Sequence, residues 1–400
     1  MYKYALHLSK LVLLLTLTLI GFAACHKDPE IPDPEPEVET PARTVLAYII
    51  GDNSLSSYAA VNVDSMLVGL AKGDTANINL LVYQDSYSGS PTLYKLGFDA
   101  EGNGVRQTVR TFIEQNSVDK SIMSGIIRDA FDRYPADEKG LILWSHGTGW
   151  VPSVNYAPSK SRAFGQDYTE WLELWDVRDV LERSGVHFDY LIFDACYMAN
   201  VEVAYELRNV TDYLIASVTE IMGIGFPYRE IIALMAQPEL DLIDVARAYS
   251  NYYDGRNDYY GGTISVIKTE RLDDLAAHYR TIVAADTLTA EQVKAAKIQE
   301  FGRYVTSVTS YHTYFYDFAQ TAATLGPWAE AQTQALLDDI VLYEAHTPTF
   351  GFTSGGGEKF SIRSCSGLSV FIPKVNHDAT LISAYNRLAW TQATAGSYEF

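Results

Sequence analysis

A histidine and a cysteine fifty positions apart could together carry out nucleophilic chemistry. The apolar run 141–144 is followed closely by His146, and the apolar run 190–193 by Cys196. Runs of this kind are typical of strands buried in a parallel sheet, and open α/β sheets carry their sites where such strands end. A thiolate that attacks and an imidazole that moves protons are the minimum set for a thiol nucleophile.

The same residue types also occur as ordinary core residues, because free cysteine is among the most buried residue types and histidine is common inside proteins. A disulfide between Cys196 and Cys365 would remove the nucleophile, whereas a free Cys365 is expected to be structural. The remaining histidines are expected to be solvated or satisfied in the core: His187, His278, His312, His346 and His377.

Strand and helix patterns alternate along most of the chain, which predicts a largely parallel sheet covered by helices on both faces. A polar loop is expected over 152–168. Strands are predicted at 44–50, 79–83, 93–98, 105–112, 213–218 and 263–267 in addition to the two above, and helices at 121–134, 172–184 and 201–207. From residue 272 the pattern changes to longer helical stretches, with a final strand over 367–372. We therefore predict an α/β domain over 43–270 and a C-terminal subdomain over 271–400 that packs on the sheet.

The first 42 residues have the composition of a targeting segment and a tether. A basic start, an apolar stretch over 11–20 and small residues before Cys25 resemble a bacterial lipoprotein signal, in which that cysteine carries the lipid. Phe22 is unusual in this pattern, so ordinary secretion stays open. Residues 26–42 are rich in Pro and Glu and are expected to be extended. Because no Asp follows Cys25 directly, the segment 1–25 favours an outer-membrane or cell-surface location.

The composition limits the partners. The formal charge of −20 would repel nucleic acid and anionic membrane surfaces, whereas cationic peptides are compatible with it. The sequence shows no metal motif of credible spacing, and no cofactor is expected.

Four segments resemble the clostripain family of cysteine peptidases. They are 45–48 with Asp52-Asn53, the motif around Trp144-Ser145-His146-Gly147, the stretch 193–207 around Asp194-Ala195-Cys196, and 366–373. The resemblance covers most of the chain after the tether. It implies a caspase-like α/β/α sandwich with a mostly parallel central sheet, as in caspases, legumains and gingipains, and a helical C-terminal subdomain.

The resemblance also implies residue roles. Cys196 would be the nucleophile and His146 the catalytic imidazole, with the backbone N–H groups of Gly147 and Cys196 holding the oxyanion. Glycine suits position 147 because it lets the backbone approach a substrate closely. A plain turn at the end of a strand would also account for it.

Substrate preference depends on nearby acids. Asp194 lies two residues before Cys196 and shares its face of the strand. A carboxylate there favours Arg or Lys before the cut bond, as the family resemblance also implies. Relatives commonly carry a second acid where this chain has Ile224. The isoleucine removes one charge, so the preference could weaken or move to another residue, and Glu220 is a candidate substitute. Asp194 could instead be a buried acid that caps backbone amides.

The segment between His146 and Cys196 could be cut during maturation. Exposed polar loops are where nicking concentrates, and relatives cut themselves here. Lys160 and Arg162 are the candidate cleavage sites, although a plain mobile loop is the alternative. Calcium dependence occurs in the family, but no spacing in this chain defines an ion loop.

The sequence thus predicts an exported, lipid-anchored cysteine endopeptidase that cleaves after Arg or Lys. Two alternatives stay open. One is a surface lipoprotein that binds peptides or glycans on a retained peptidase fold without catalysis. The other is a thiol enzyme with a different outcome, such as a transpeptidase.

Overall fold

The computed structural model describes residues 41–152, 163–254, 256, 261–284, 287–302, 304–307, 310–351, 360–375 and 378–399. The strands are β1 (Arg43–Gly51), β2 (Ile78–Ser86), β3 (Thr92–Phe98), β4 (Gly104–Thr111), β5 (Glu138–Trp144), β6 (Phe164–Asp167), β7 (Glu170–Leu172), β8 (Phe188–Asp194), β9 (Thr211–Ala216), β10 (Thr263–Lys268), β11 (Tyr304–Ser307), β12 (Ser310–His312), β13 (Tyr316–Asp317), β14 (Val341–His346), β15 (Thr349–Phe350), β16 (Phe360–Ser361) and β17 (Ser369–Val370).

The helices are α1 (Ser56–Leu70), α2 (Lys120–Arg133), α3 (Leu174–Ser184), α4 (Val201–Leu207), α5 (Tyr228–Met235), α6 (Leu242–Tyr253), α7 (Leu272–Val283), α8 (Ala290–Ala296), α9 (Phe318–Leu325), α10 (Glu330–Ile340), α11 (Ala379–Tyr385) and α12 (Ala389–Thr394). Short 3₁₀ helices occur at Thr75–Asn77 and Pro327–Ala329. None of the helices in the described part of the chain is long and apolar enough to cross a membrane.

A nine-stranded sheet, in the order β14-β10-β9-β8-β5-β1-β2-β3-β4, forms the centre of the molecule. The five strands from β9 to β2 are parallel, and antiparallel strands extend both edges. Every residue of β1 is buried, as expected for a parallel strand covered on both faces. Helices flank the sheet, with α1 packed on α5 and α2 on α3. The predicted caspase-like, mostly parallel α/β fold is confirmed.

The C-terminal part of the chain is built into the same sheet. β14 pairs antiparallel with β10, α12 packs on α4 and α7, and the Ser369 N–H donates to the Ala199 carbonyl (3.0 Å). From Thr40 onward the chain forms one compact unit. Residues after 270 therefore contribute an edge strand as well as helices, and the domain limits drawn from the sequence stay a prediction.

Two segments differ from the sequence-based expectation. The end of the expected polar loop forms β6, which pairs with β7, because Phe164 buries its ring against Phe193 at a centroid distance of 5.8 Å. The strand expected over 367–372 is reduced to the two residues of β17, paired with β13.

Candidate active site

His146 lies in the turn that follows β5, and hydrogen bonds to the end of β1 and to β6 hold this turn in place. The preceding residue, Ser145, donates its hydroxyl to the Ile50 carbonyl at the end of β1 (2.9 Å) and accepts from the Gln166 N–H (3.1 Å). The His146 carbonyl accepts from the Gly165 N–H (3.0 Å). These bonds fix the turn at the carboxyl edge of the sheet. His146 is half-buried there.

Ser54 and Trp171 approach the imidazole ring of His146. The Ser54 hydroxyl lies 2.9 Å from His146 Nε2, and the Trp171 ring lies at a centroid distance of 6.3 Å. Ser54 is placed by its neighbour Asn53, whose amide donates to the Ile50 carbonyl (2.9 Å). No functional role was predicted for Ser54 from the sequence.

Cys196 lies in a tight turn between β8 and α4. Its Sγ accepts from the Ile221 N–H at 3.3 Å. The next residue, Tyr197, has a φ of +62° and donates its N–H to the Thr219 carbonyl (2.9 Å). Asn200 caps α4 by accepting from the Val203 N–H (2.8 Å). This strand-turn-helix arrangement presents the half-buried thiol at the end of its strand.

The turns that carry His146 and Cys196 are in contact. Trp144 is the register partner of Asp194, so the histidine and the cysteine each lie two residues beyond that pair. A Cβ added to Gly147 would lie 2.8 Å from the Cys196 carbonyl oxygen, so only glycine fits between the turns. Within the described residues, neither the Gly147 N–H nor the Cys196 N–H donates to a backbone carbonyl. An oxyanion site would need N–H groups that are free of such bonds.

Two acidic residues, Glu220 and Asp194, act electrostatically on the Cys196 thiol. Burial raises the pKa of Cys196 well above its usual range, and the carboxylates of Glu220 and Asp194 raise it further. Burial also raises the pKa of Glu220 to about 8. Burial and these two acids therefore disfavour the thiolate form of Cys196, and the acids can attract a cation only once they ionise, which for Glu220 requires a pH near 8 or above.

Asp194 points away from bulk solvent. Only 4% of it is exposed, and its Oδ2 accepts from the Tyr228 hydroxyl (2.7 Å) and the Phe226 N–H (3.1 Å). Burial raises its pKa to about 6, and these two hydrogen bonds oppose the shift. Gly225, at φ +69°, lets the loop wrap over the carboxylate, since a Cβ there would lie 2.4 Å from Oδ2.

The loop that covers Asp194 also contains Ile224, which is half-buried. With its amide oriented to satisfy both neighbours, Asn62 of α1 donates to the Ile224 carbonyl (2.9 Å) and accepts from Trp144 Nε1 (3.0 Å). Neither Asn62 nor Tyr228 was predicted as a site residue from the sequence. The two glycines flanking Ile224 were the only local signal of this close packing.

Other predicted residues lie apart from this site or outside the described residues. Lys160, Arg162 and Cys25 fall outside the described part of the chain, as does His377, and nothing is described of the His312 side chain. Three other histidines pair elsewhere, with Asp212, Thr333 and Glu344: His187, His278 and His346.

A cleft of about 350 Å³ opens near the amino ends of β5 and β8, at the opposite ends of the strands from His146 and Cys196. Glu138, Asp189 and Tyr190 contribute to its lining. None of the candidate catalytic residues does.

Known proteins of similar sequence decide the family. A model of the clostripain family, Peptidase_C11, matches residues 47–398, which is most of the chain and includes both strand ends of the site. The chain belongs to the clostripain family. The predicted membership is confirmed, and the matches support a cysteine endopeptidase as predicted.

Individual relatives of this chain support its assignment to the clostripain family. Clostripain from Hathewaya histolytica is 28% identical over 221 residues, which are 47% of this chain but only 41% of clostripain. An inactive zymogen C11 protease from Parabacteroides distasonis is 33% identical with a TM-score of 0.78, covering 90% of this chain and 99% of its own. A secreted C11 cysteine protease from Bacteroides thetaiotaomicron, solved with an irreversible peptide inhibitor, is 31% identical with a TM-score of 0.76. The match covers 88% of this chain and 98% of that protease.

Proposed function

We propose that this chain is an exported cysteine endopeptidase in which Cys196 is the nucleophile and His146 the proton carrier. The observation that carries the proposal is the contact between their turns, where a Cβ on Gly147 would lie 2.8 Å from the Cys196 carbonyl oxygen. In this proposal an imidazole, a thiol and two backbone N–H groups at neighbouring strand ends act together. Cysteine peptidase chemistry requires this set.

The reaction begins when the Cys196 sulfur attacks the peptide carbonyl carbon and its proton passes to His146. The N–H groups of Gly147 and Cys196 hold the resulting oxyanion. His146 then protonates the departing amine, and water, deprotonated by the imidazole, hydrolyses the thioester. Since the neighbouring acids disfavour the thiolate, a cationic substrate side chain that offsets their charge would also ease thiol ionisation.

We infer a preference for Arg or Lys before the cut bond. The Glu220 and Asp194 carboxylates both act electrostatically on the thiol, so a substrate cation bound there would face two acids. Ile224 stands where relatives carry a second acid, and an apolar residue at this place suits the alkyl stem of either basic side chain. The preference therefore rests on buried acids whose ionisation depends on pH.

Self-cleavage after Lys160 or Arg162 is proposed as the activating step. Both residues lie between the histidine and the cysteine and match the inferred preference. One of the relatives was solved as an inactive zymogen. Mass analysis of the purified protein should show two fragments for the wild type and one intact chain for Cys196→Ala, and fragments in both would contradict the step.

Export and lipid attachment at Cys25 are proposed from the signal pattern of the first 25 residues. One relative is described as secreted. Metabolic labelling with a fatty-acid analogue in a bacterial host should mark the wild type and not Cys25→Ser. Label on both would contradict the anchor.

Turnover of a peptide panel that varies only at the residue before the cut tests the activity. Arg and Lys peptides should be cleaved and their uncharged analogues cleaved poorly. Cys196→Ala and His146→Ala should abolish turnover with unchanged circular dichroism. Peptide binding without turnover by the wild type would favour a non-catalytic protein, and transfer to an added amine would favour a transpeptidase.

A further inference from the structure

A second cluster of reactive side chains lies at the edge of the central sheet, away from the catalytic pair. Glu344 and His346 of β14 and Cys365 bring one carboxylate oxygen, one imidazole nitrogen and one sulfur within 4.8 Å of one another. β14 is three strands from β8 in the sheet order, so about 14 Å separates these two strands at a strand spacing of ~4.8 Å. The mechanism proposed above uses none of these residues.

The segment around Cys365 is fixed in place. The Ser366 N–H donates to Asp317 Oδ2 (2.6 Å), and the Leu368 carbonyl accepts from the Phe318 N–H (3.0 Å). Gly367, at φ +81°, backs directly onto β14, since a Cβ there would lie 2.4 Å from Val341 Cγ1. These contacts position the thiol against the edge strand without need of a further group.

Glu344 and His346, the two cluster residues on β14, also hold each other in position. They are two positions apart and therefore share a face of the strand, and Glu344 Oε1 lies 2.7 Å from His346 Nδ1. Ser265 of β10 is the register partner of Glu344. Its hydroxyl is fully buried and has no hydrogen-bond partner in the described part of the chain, which is unusual for a buried polar group.

We propose that Glu344, His346 and Cys365 bind a zinc ion. Thiolate, imidazole and carboxylate are the ligands that Zn²⁺ takes in proteins, and a tetrahedral ion at its usual bond lengths needs ligand atoms about 3.3–3.8 Å apart. Closing the present separations to that range requires movements of about 1 Å. A water in the fourth position could donate to the unpaired Ser265 hydroxyl.

Charge favours a cation at this cluster. The carboxylates of Glu344 and Asp317 interact electrostatically with the Cys365 thiol. A thiolate ligand and a carboxylate ligand together neutralise the charge of a divalent ion. Sequence spacing gave no hint of the site because residues 346 and 365 are separated by a long connection. Bound zinc would tie β14 to the segment that leads into β17, which contacts Ala199 just after the catalytic cysteine.

Zinc binding is tested in the full chain carrying Cys196→Ala, so that the catalytic thiol cannot bind the metal. Titration with Zn²⁺ against a chromophoric chelator should show one tight site, and Co²⁺ should give a thiolate charge-transfer band. In this background Cys365→Ser and His346→Gln should each weaken affinity by at least about 100-fold. The control is His187→Gln, which removes an exposed histidine also paired with an acid (Asp212, 2.9 Å) and should leave affinity unchanged.

Thermal denaturation with and without zinc separates binding from folding. Zinc should raise the midpoint of the parent and of the His187 variant but not of the Cys365 or His346 variants, whose midpoints in a chelator should match the parent. Should Cys365→Ser prove unstable, the more exposed His346→Gln decides. Absence of a tight site in the parent, or equal affinity in the parent and His346→Gln, would overturn the proposal.

Discussion

The hydrogen bond from Tyr228 to Asp194 should set the pH range over which the enzyme prefers basic residues. The Tyr228 hydroxyl donates to Oδ2 at 2.7 Å, and both side chains are buried. A hydrogen bond to a buried charge contributes about 1.5–3 kcal/mol, which corresponds to about one to two pKa units. Because the bond opposes the burial that raises the Asp194 pKa to about 6, Tyr228→Phe should raise this pKa to about 7–8.

The change in ionisation gives the expected rate effect. At pH 7 the ionised fraction of Asp194 should fall from about nine tenths to between one half and one tenth. The kcat/KM for an arginyl peptide should therefore drop about 2- to 10-fold at pH 7 and recover at pH 9. A citrulline peptide, which has the shape of arginine without its charge, should change little.

A matched variant provides the control. Tyr249 is also buried near Asp194, and its hydroxyl has no hydrogen-bond partner among the described residues, so Tyr249→Phe removes the same group without breaking a hydrogen bond to Asp194. Its pH profile of kcat/KM should follow the wild type. If the Tyr228 and Tyr249 variants gave the same pH profile with the arginyl peptide, the assignment of Asp194 as a pH-dependent recognition group would be refuted.

Three further substitutions test the site and its surroundings. Glu220→Gln removes a like charge and should lower the Cys196 pKa, so that iodoacetamide alkylates the thiol about 10-fold faster per pKa unit at pH 9; an unchanged rate would contradict the charge effect. Gly147→Ala should lower kcat by about 100-fold or more because its Cβ would collide with the Cys196 carbonyl, and near-normal turnover would argue against the proposed oxyanion site. Burial raises the Asp85 pKa to about 7, so its stabilising contribution is complete below about pH 4 and is lost as pH rises through 7; Asp85→Asn should flatten the fall in melting temperature between pH 5 and 8, and parallel curves would exclude this role.

The central strands could be predicted from sequence because burial on both faces leaves an uninterrupted apolar run. The predicted helix 201–207 coincides with α4, where Asn200 supplies the cap that marks its start. The motif around His146 and the motif around Cys196 follow such strands directly, so their common edge was also predictable. Local sequence carried this information.

Long-range packing supplied what the sequence did not reveal. The strand β6 contains only four residues, and its burial depends on Phe193, far along the chain. The closure over Asp194 depends on Tyr228, thirty-four residues away. An acid two residues before the cysteine was visible, but its near-complete burial was not.

In the proposed mechanism Cys196 is the nucleophile, activated by the imidazole at the neighbouring strand end. The most direct test of this mechanism is peptide mapping by mass spectrometry after treatment with an irreversible arginyl peptide ketone. We predict a single adduct on Cys196 and none on Cys365, with much slower labelling in His146→Ala. An adduct on Cys365, or labelling that persists in Cys196→Ala, would contradict the account.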